Sequence, residues 1–143
     1  MRELRQLSPH FHEKEFVYRT PEGELIAPSM DISFVQVLEN LRQYLSLRLD
    51  TTVEGGYNGG WRSAAHEQGG GRKSQHCSGL AADLYSPSLD LQSLYRKVRE
   101  FNDLDLGTFK GVGVYPQNNF LHLDTRRGEP VSWVRCDGEY FYL

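Results

Sequence analysis

The sequence predicts an α+β fold, a single domain in which helices pack on one face of an antiparallel sheet. Apolar residues recur at steps of three and four in residues 30–49 and again in residues 90–101, as on one face of an amphipathic helix. Runs with the composition of strands then dominate the chain from residue 110 onwards. Helices followed mostly by strands are the order of an α+β domain, and 143 residues without a repeat or an internal boundary predict one domain, residues 1–143.

Shorter elements are predicted around the first long helix. Residues 7–16 are expected to form a short helix, because Ser8 can cap it and Pro9 suits its first position. Two prolines and a glycine predict a loop for residues 20–28, and residues 51–54 are expected to form a short strand.

A glycine-rich stretch and five strands complete the expected fold. Residues 55–73 hold seven glycines, and a loop of this length in a compact domain is usually functional or disordered. It leads directly into residues 74–83, which carry a histidine and an aspartate, and this favours a functional loop. The predicted strands are residues 79–84, 110–115, 119–124, 131–135 and 140–143, with turns at 116–118 and 137–138.

The charge balance argues against nucleic acid as a partner. The formal net charge is −3 and the pI is about 5.9, whereas a nucleic-acid backbone is bound by a basic face. We therefore expect the basic pairs Arg72-Lys73 and Arg126-Arg127 to lie on a solvated surface.

The ends and the cysteines carry few functional signals. Residues 1–7 lack the apolar core of a signal peptide, and no stretch is long enough to span a bilayer. We therefore expect cytoplasmic synthesis without a signal peptide and no membrane insertion. A monomer is expected as well. Cys77 and Cys136 have no metal-ligand spacing and are expected to be bystanders, with a disulfide or a reactive thiol as the alternatives.

Two stretches carry residues suited to metal chemistry. His76 and Asp83 lie in one small-residue stretch, and His122 and Asp124 lie on a predicted strand, where residues two apart share a face. Imidazole nitrogens and carboxylate oxygens are preferred ligands of catalytic zinc, and three protein ligands leave a fourth position open. The metal interpretation is favoured over its alternative, an exposed hydrogen-bonded pair at 122 and 124 with His76 in a loop. Small residues on the Asp83 face, Gly79 and Ala81, would leave room for a metal or substrate.

The pattern resembles the zinc D-alanyl-D-alanine carboxypeptidases and peptidoglycan endopeptidases, whose fold is shared with the amino-terminal domain of hedgehog proteins. The first matching block consists of Ser74, His76, Gly79, Ala81 and Asp83. The second consists of Gly111, Gly113, Tyr115, Phe120, His122 and Asp124. Residues 7–16 also look like the start of many members, so the resemblance covers most of the chain.

The resemblance implies a role for each matching residue. Zinc would be held by His76, Asp83 and His122. Arg62 would bind a substrate carboxylate or carbonyl, a task suited to a planar two-pronged donor, with a surface ion pair as the alternative. Ser74 would donate a hydrogen bond to substrate or to a metal ligand, with a plain turn residue as the alternative.

The proton acceptor departs from the family pattern. Many members carry Glu or Asp three residues before the last histidine, and here that position is Asn119. Asp124 can deprotonate a zinc-bound water or orient His122, and we favour the catalytic role slightly. Glu67 is a further candidate. The family segment around the arginine at position 62 is shorter, and residues 58–60 look like an insertion before it. The match of this arginine to the family arginine is therefore less exact than that of the two blocks.

Carried over as a whole, the resemblance implies zinc-dependent hydrolysis of an amide bond in peptidoglycan stem peptides. A small domain without a signal peptide or wall-binding repeat looks like a phage-type or prophage lysin that acts on the cell wall when released, or like a peptidase inside a larger particle. The alternative is a cell-wall-binding module on the same fold, zinc-containing or metal-free and without turnover, which the asparagine at position 119 favours. Aromatic side chains would line the cleft or pack in the core, namely Tyr57, Trp61, Tyr85 and Tyr115.

Overall fold

The computed structural model of the protein describes residues 1–46, 49–51, 59–63 and 74–143. Its α-helices are α1 (Ile32–Leu45) and α2 (Leu91–Asn102). Short 3-10 helices lie at Glu13–Glu15 and Gln75–Ser78. The strands are β1 (Gln6–Ser8), β2 (Phe11–His12), β3 (Tyr18–Arg19), β4 (Leu25–Ile26), β5 (Asp50–Thr51), β6 (Ala81–Tyr85), β7 (Gly111–Tyr115), β8 (Phe120–Asp124), β9 (Val131–Cys136) and β10 (Glu139–Tyr142).

The main sheet has six strands in the order β10-β9-β7-β8-β6-β5. Neighbouring strands are antiparallel except β7 and β9, which are parallel. The parallel pair arises because residues 125–130 cross from the end of β8 past the start of β7 and deliver β9 to the free side of β7. The Val131 N–H donates to the Lys110 carbonyl at 2.7 Å, and the Lys110 Nζ donates to the Gly128 carbonyl at 2.8 Å. The crossing places residues 125–130 at one end of the sheet.

Both helices pack on one face of this sheet, as the α+β prediction requires. On β6 and β8 alternate residues point into the core, so that Leu84, Leu121 and Leu123 are buried against the helices. Phe34 and Leu38 of α1 belong to the same core, as do side chains of α2. The opposite face of the sheet is left for the polar residues of the two motifs.

The first long helix is shorter than the periodicity predicted. The Asp31 carboxylate accepts from the Phe34 N–H at 2.9 Å and caps the start of α1. Ser46 lies in the left-handed region with φ +53° and ends the helix. Leu49 lies outside the helix but is buried in the core. Its apolar side chain therefore continues the apolar pattern of the sequence beyond the end of the helix. The second helix, α2, matches residues 90–101 within one position at each end.

The helix predicted over residues 7–16 is wrong. This segment forms the β1–β2 hairpin and then the 3-10 turn. Ser8 Oγ and the His10 N–H both donate to Glu39 on α1, each at 2.7 Å, while buried Glu13 accepts from two N-terminal arginines. These contacts join residues far apart in sequence and outweigh the local helix signals.

Two other local predictions are confirmed only in part. The loop predicted over residues 20–28 includes strand β4, which pairs with β3 across a turn. The strand predicted over residues 51–54 is β5 at positions 50–51, and its remainder lies outside the described residues, as does most of the glycine-rich stretch 55–73. The described helices include none that is long and apolar enough to cross a membrane.

Candidate metal centre

Strand alternation places His122 and Asp124 together on the face of the sheet away from the helices. Leu123 between them is 1% exposed and lies in the core. In the sheet register His122 is the neighbour of Asp83 on β6, so three chemically active side chains share one face, as predicted. His122 and Asp124 are 7% and 0% exposed, which excludes the alternative of an exposed pair.

A tight turn before β6 brings His76 to the same place. Ser74 caps the 3-10 helix, since its Oγ accepts from the His76 N–H at 3.1 Å. Gly79 ends this helix with φ +71°, and a Cβ there would collide with the Ser29 carbonyl oxygen. The small residue at position 79 is therefore required by the turn and by close packing before α1. The expectation that it makes room for a metal or substrate is wrong.

Three ligand atoms converge in this buried pocket of the sheet. His76 Nε2 and His122 Nδ1 are 3.2 Å apart, and Asp83 Oδ1 lies 3.3 Å from the first and 3.2 Å from the second. Tetrahedral zinc with ligands at about 2.0–2.1 Å requires ligand atoms about 3.3 Å apart. The donor set and its spacing therefore fit one metal ion held by His76, Asp83 and His122.

Hydrogen bonds orient the two imidazole rings toward the shared point. The His76 Nδ1–H donates to the Gly60 carbonyl at 2.7 Å, which leaves the Nε2 lone pair free for a metal. His122 Nε2 lies 2.6 Å from Asp124 Oδ2, so its Nδ1 faces the other ligands. Arg62 Nη2 donates to Asp83 Oδ2 at 2.8 Å, which leaves Asp83 Oδ1 to the metal.

Asp124 is held from two sides. Arg126 donates to it through Nε at 2.9 Å, Nη2 at 2.7 Å and its backbone N–H at 3.1 Å, while His122 contacts Oδ2. The prediction that Arg126 lies on a solvated surface is therefore wrong. A Cβ on Gly111, the cross-strand neighbour of Asp124, would collide with the carboxylate. The glycine at 111 gives this buried carboxylate its space.

The same contacts set the charge states of the metal-free site. Burial lowers the pKa of His76 and keeps that ring neutral. Burial also opposes a charge on His122, but the hydrogen bonds to Asp124 and Asp83 outweigh it and raise the pKa of His122 to about 9. Burial would raise the pKa of both aspartates, yet the histidines beside Asp83, and Arg126 and His122 beside Asp124, hold each pKa well below its usual range.

We expect zinc affinity to rise with pH. The metal must displace the Nδ1 proton of His122, whose pKa is raised to about 9, so the affinity should fall about tenfold for each pH unit below that value. Competition with a chelator of known affinity measures this. An affinity that stays constant between about pH 6 and about pH 8.5 after correction for the chelator would contradict it.

The metal-free protein should show the complementary effect on stability. The pKa of His122 is raised above its ordinary value of 6.5, so the stabilisation by its proton is complete below about pH 6.5. It is lost as the pH rises through about 9. Denaturant unfolding of metal-free protein across this window measures the loss.

A further prediction concerns Gly111. Gly111→Ala should lower the free energy of unfolding by about 1–3 kcal/mol, because the new methyl group displaces the Asp124 carboxylate. It should also weaken zinc binding by roughly 10–100-fold, since His122 loses its orienting partner. Denaturation and zinc competition measure both. Val112→Ala on the same strand is the matched control, because Val112 packs in the core on the opposite face of the sheet and its truncation lowers stability without contacting Asp124. Equal zinc affinities for the two variants would contradict the prediction.

The three ligand atoms open onto a cleft of about 710 Å³. Its described lining residues are Arg62, Ser74, Gln75, His76, Asp83, Tyr115, Phe120, His122, Arg126, Val131, Trp133, Tyr140 and Tyr142. Cross-strand pairing explains the aromatic wall, since Tyr142 neighbours Trp133, which neighbours Gly113, which neighbours His122. Gly113 lets the Trp133 indole lie across β7.

Several lining residues were not anticipated from the sequence. Tyr140 and Tyr142 are two positions apart on β10 and therefore share a face, and Tyr142 is the cross-strand neighbour of Trp133. This spacing could have predicted an aromatic face on the strands of residues 131–143. Arg126 lies two positions after Asp124. Because it is one of a pair of adjacent arginines, the sequence predicted a surface residue and not a partner of Asp124.

The structure sorts the other predicted residues. Tyr115 lines the cleft, whereas Trp61 packs edge-on against Tyr18 with ring centroids 5.9 Å apart. Tyr85 is absent from the described lining. Asn119 is exposed in the turn between β7 and β8 with φ +56°. Tyr57 and Glu67 lie outside the described residues, and both cysteines are half-buried.

The fold and the site define a class of protein, a small α+β domain with a buried His/Asp/His group that can hold a catalytic metal at an open cleft. The family model described as Peptidase M15 matches residues 9–124. The chain therefore belongs to the peptidase M15 family, zinc-dependent metallopeptidases of the D-Ala-D-Ala carboxypeptidase type. The resemblance seen in the sequence is confirmed. No curated protein and no solved structure matches the chain significantly.

Proposed function

We propose that the protein is a zinc peptidase that hydrolyses an amide bond in peptidoglycan stem peptides. The observation that carries the proposal is the spacing of three ligand atoms, His76 Nε2, Asp83 Oδ1 and His122 Nδ1, at 3.2–3.3 Å from one another beside an open cleft. A tetrahedral zinc held by these two nitrogens and one oxygen would keep a fourth position for water or substrate, as in catalytic zinc sites.

The chain's own residues would prepare this site for hydrolysis. Zinc, when bound, supplies a Lewis acid and lowers the pKa of its water to about 7. The Gly60 carbonyl keeps His76 in the tautomer that presents Nε2, and Arg62 restrains Asp83 through the other carboxylate oxygen. In addition to this restraint, Arg62 lines the cleft and is proposed to contact a substrate carbonyl. Ser74 also lines the cleft, where its hydroxyl hydrogen can be donated to substrate.

The contacts of Asp124 favour the orienting role over the catalytic one. Asp124 is fully buried, both of its oxygens accept hydrogen bonds, and the imidazole of His122 separates it from the ligand atoms. A general base must reach the water from which it takes a proton. Among the described lining residues the remaining carboxylate is the ligand Asp83. Glu67, outside the described residues, stays the sequence-based alternative for the proton acceptor.

The charge of the cleft supports stem peptides as the substrate class. Arg62 and Arg126 both line it, and their positive charge together with that of a divalent ion would exceed the negative charge of the two aspartates of the site. Stem peptides carry free carboxylates, which such a cleft attracts. Reaching this substrate requires delivery to the cell wall, and the lysin setting is part of the proposal.

The proposal is tested by incubating purified peptidoglycan with the zinc-loaded protein and identifying the released fragments by mass. We expect release of peptide or amino-acid fragments with new amine and carboxylate ends, and no release by the metal-free protein. Stoichiometric zinc without release at any pH would instead support a wall-binding module, the alternative favoured by the exposed Asn119.

A further inference from the structure

Arg126 contacts Asp124, but part of its side chain remains exposed to the cleft. Its side chain is 27% exposed, whereas that of Asp124 is 0% exposed. The guanidinium also lies over the Trp133 ring, with Cζ 5.4 Å from the ring centroid. Asp124 on one edge and Trp133 on one face hold the guanidinium plane in a defined orientation beside open cleft.

The outer edge of this guanidinium carries N–H donors that Asp124 does not accept from. Arginine carries five N–H donors, and Arg126 spends Nε–H and one hydrogen of Nη2 on Asp124. Nη1 and the outer hydrogen of Nη2 donate to no residue in the described part of the chain. Those two groups form a planar fork that matches the two oxygens of a carboxylate.

We propose that Arg126 binds a carboxylate of the substrate through Nη1 and the outer hydrogen of Nη2, and so selects peptides that carry a carboxylate close to the scissile bond. The inference rests on the proposed peptidase function, which it deepens by naming the feature recognised. Arg126 is thereby a specificity residue, in addition to the orienting contact that it makes with Asp124.

The position of Arg126 limits where that carboxylate lies in the substrate. Asp124 and the imidazole of His122 stand between the guanidinium and the ligand atom Nδ1. Arg126 therefore does not contact the scissile carbonyl, which would lie at the metal. One to three residues of extended peptide, at about 3.3–3.6 Å each, cover such a span. A peptide with its free carboxyl end one to three residues beyond the cleaved bond fits this arrangement.

The test compares two peptides that differ only at the carboxyl end, N-acetyl-L-lysyl-D-alanyl-D-alanine and its carboxamide. The zinc-loaded protein should cleave the free acid with a kcat/KM about 10–100-fold above that for the amide, as for a hydrogen bond to a charged group. Arg126→Gln should bring this ratio close to one, and Arg126→Lys should keep part of it. Arg127→Gln is the matched control, because Arg127 is exposed and outside the described cleft lining, and it should keep the full ratio.

Binding measured by calorimetry gives a readout that does not depend on turnover. N-acetyl-D-alanine should bind the zinc-loaded protein more tightly than its amide, and Arg126→Gln with verified zinc content should lose the difference. Equal losses on acid and amide peptides would show that Arg126 acts only through Asp124 and would overturn the proposal. An unchanged acid preference in Arg126→Gln would overturn it as well. If neither peptide is cleaved, the proposed peptidase function fails for this substrate, while the binding ratio still decides the role of Arg126.

Discussion

Replacing His76 by alanine is expected to remove zinc binding and peptidase activity together. The substitution deletes one of three ligand atoms that lie 3.2–3.3 Å apart, so the loss of zinc affinity should exceed the roughly 10–100-fold effect of losing an orienting partner. Hydrolysis should fall to the level of the metal-free protein. Zinc content by mass spectrometry and fragment release from peptidoglycan measure the two effects.

Controls separate loss of the metal from loss of the fold. His76→Ala also leaves the Gly60 carbonyl without its donor, at a cost of about 1–3 kcal/mol, so unfolding is followed in parallel. His12→Asn is the matched control, because His12 lies outside the site and its ring accepts from the Lys14 N–H, a contact that asparagine can replace. That variant should keep zinc and activity. Stoichiometric zinc in a folded His76→Ala protein would contradict the assignment.

Asp124→Asn is expected to weaken zinc binding and to destabilise the site. An asparagine offers one acceptor oxygen and one amide group, yet Asp124 accepts from His122 on one side and from Arg126 on the other. One of these donors is left facing an amide N–H, at a cost of roughly 1–3 kcal/mol. Zinc affinity should fall by roughly 10–100-fold, because His122 is less firmly oriented. Zinc competition and denaturant unfolding measure these changes.

The same variant decides between the two roles of Asp124. If Asp124 orients His122, adding zinc to saturation should restore most of the hydrolytic rate of Asp124→Asn. If it is the general base, the rate should stay low with the metal fully bound. Asp105→Asn is the control, since Asp105 is exposed and has φ +59°, a conformation that asparagine tolerates. The contacts in the structure favour restoration.

Local patterns predicted the part of the fold that holds the ligands. The alternation in residues 119–124 is enough to place His122 and Asp124 on one face and Leu123 in the core, because side chains of a strand alternate regardless of its partners. The hairpin turn at 116–118 fixes the pairing of β7 with β8 for the same local reason. Two of the site's side chains thus come together through short-range geometry.

Long-range contacts decided what the sequence could not predict. The helix signals of Ser8 and Pro9 were outweighed by Glu39, which lies on a separate helix and binds Ser8. The parallel pairing of β9 with β7 depends on the path of residues 125–130. That path also turns Arg126 back onto Asp124 at the edge of the cleft, so one member of a basic pair typical of a surface contributes to the site.

The folded chain explains why the motif has glycine at positions 111 and 113. In the sequence they match a family block. In the sheet, Gly111 leaves space for the Asp124 carboxylate and Gly113 leaves space for the Trp133 indole. Neither requirement can be inferred from neighbours in sequence, because both come from the strands on either side of β7.

The position of bound zinc tests the central claim most directly. A crystal of the zinc-loaded protein, with data collected at the zinc absorption edge, locates the ion by its anomalous signal. We predict one site, about 2.0–2.2 Å from each of the three ligand atoms, His76 Nε2, Asp83 Oδ1 and His122 Nδ1. Zinc bound elsewhere, or held through His122 Nε2 with its contact to Asp124 broken, would contradict the account.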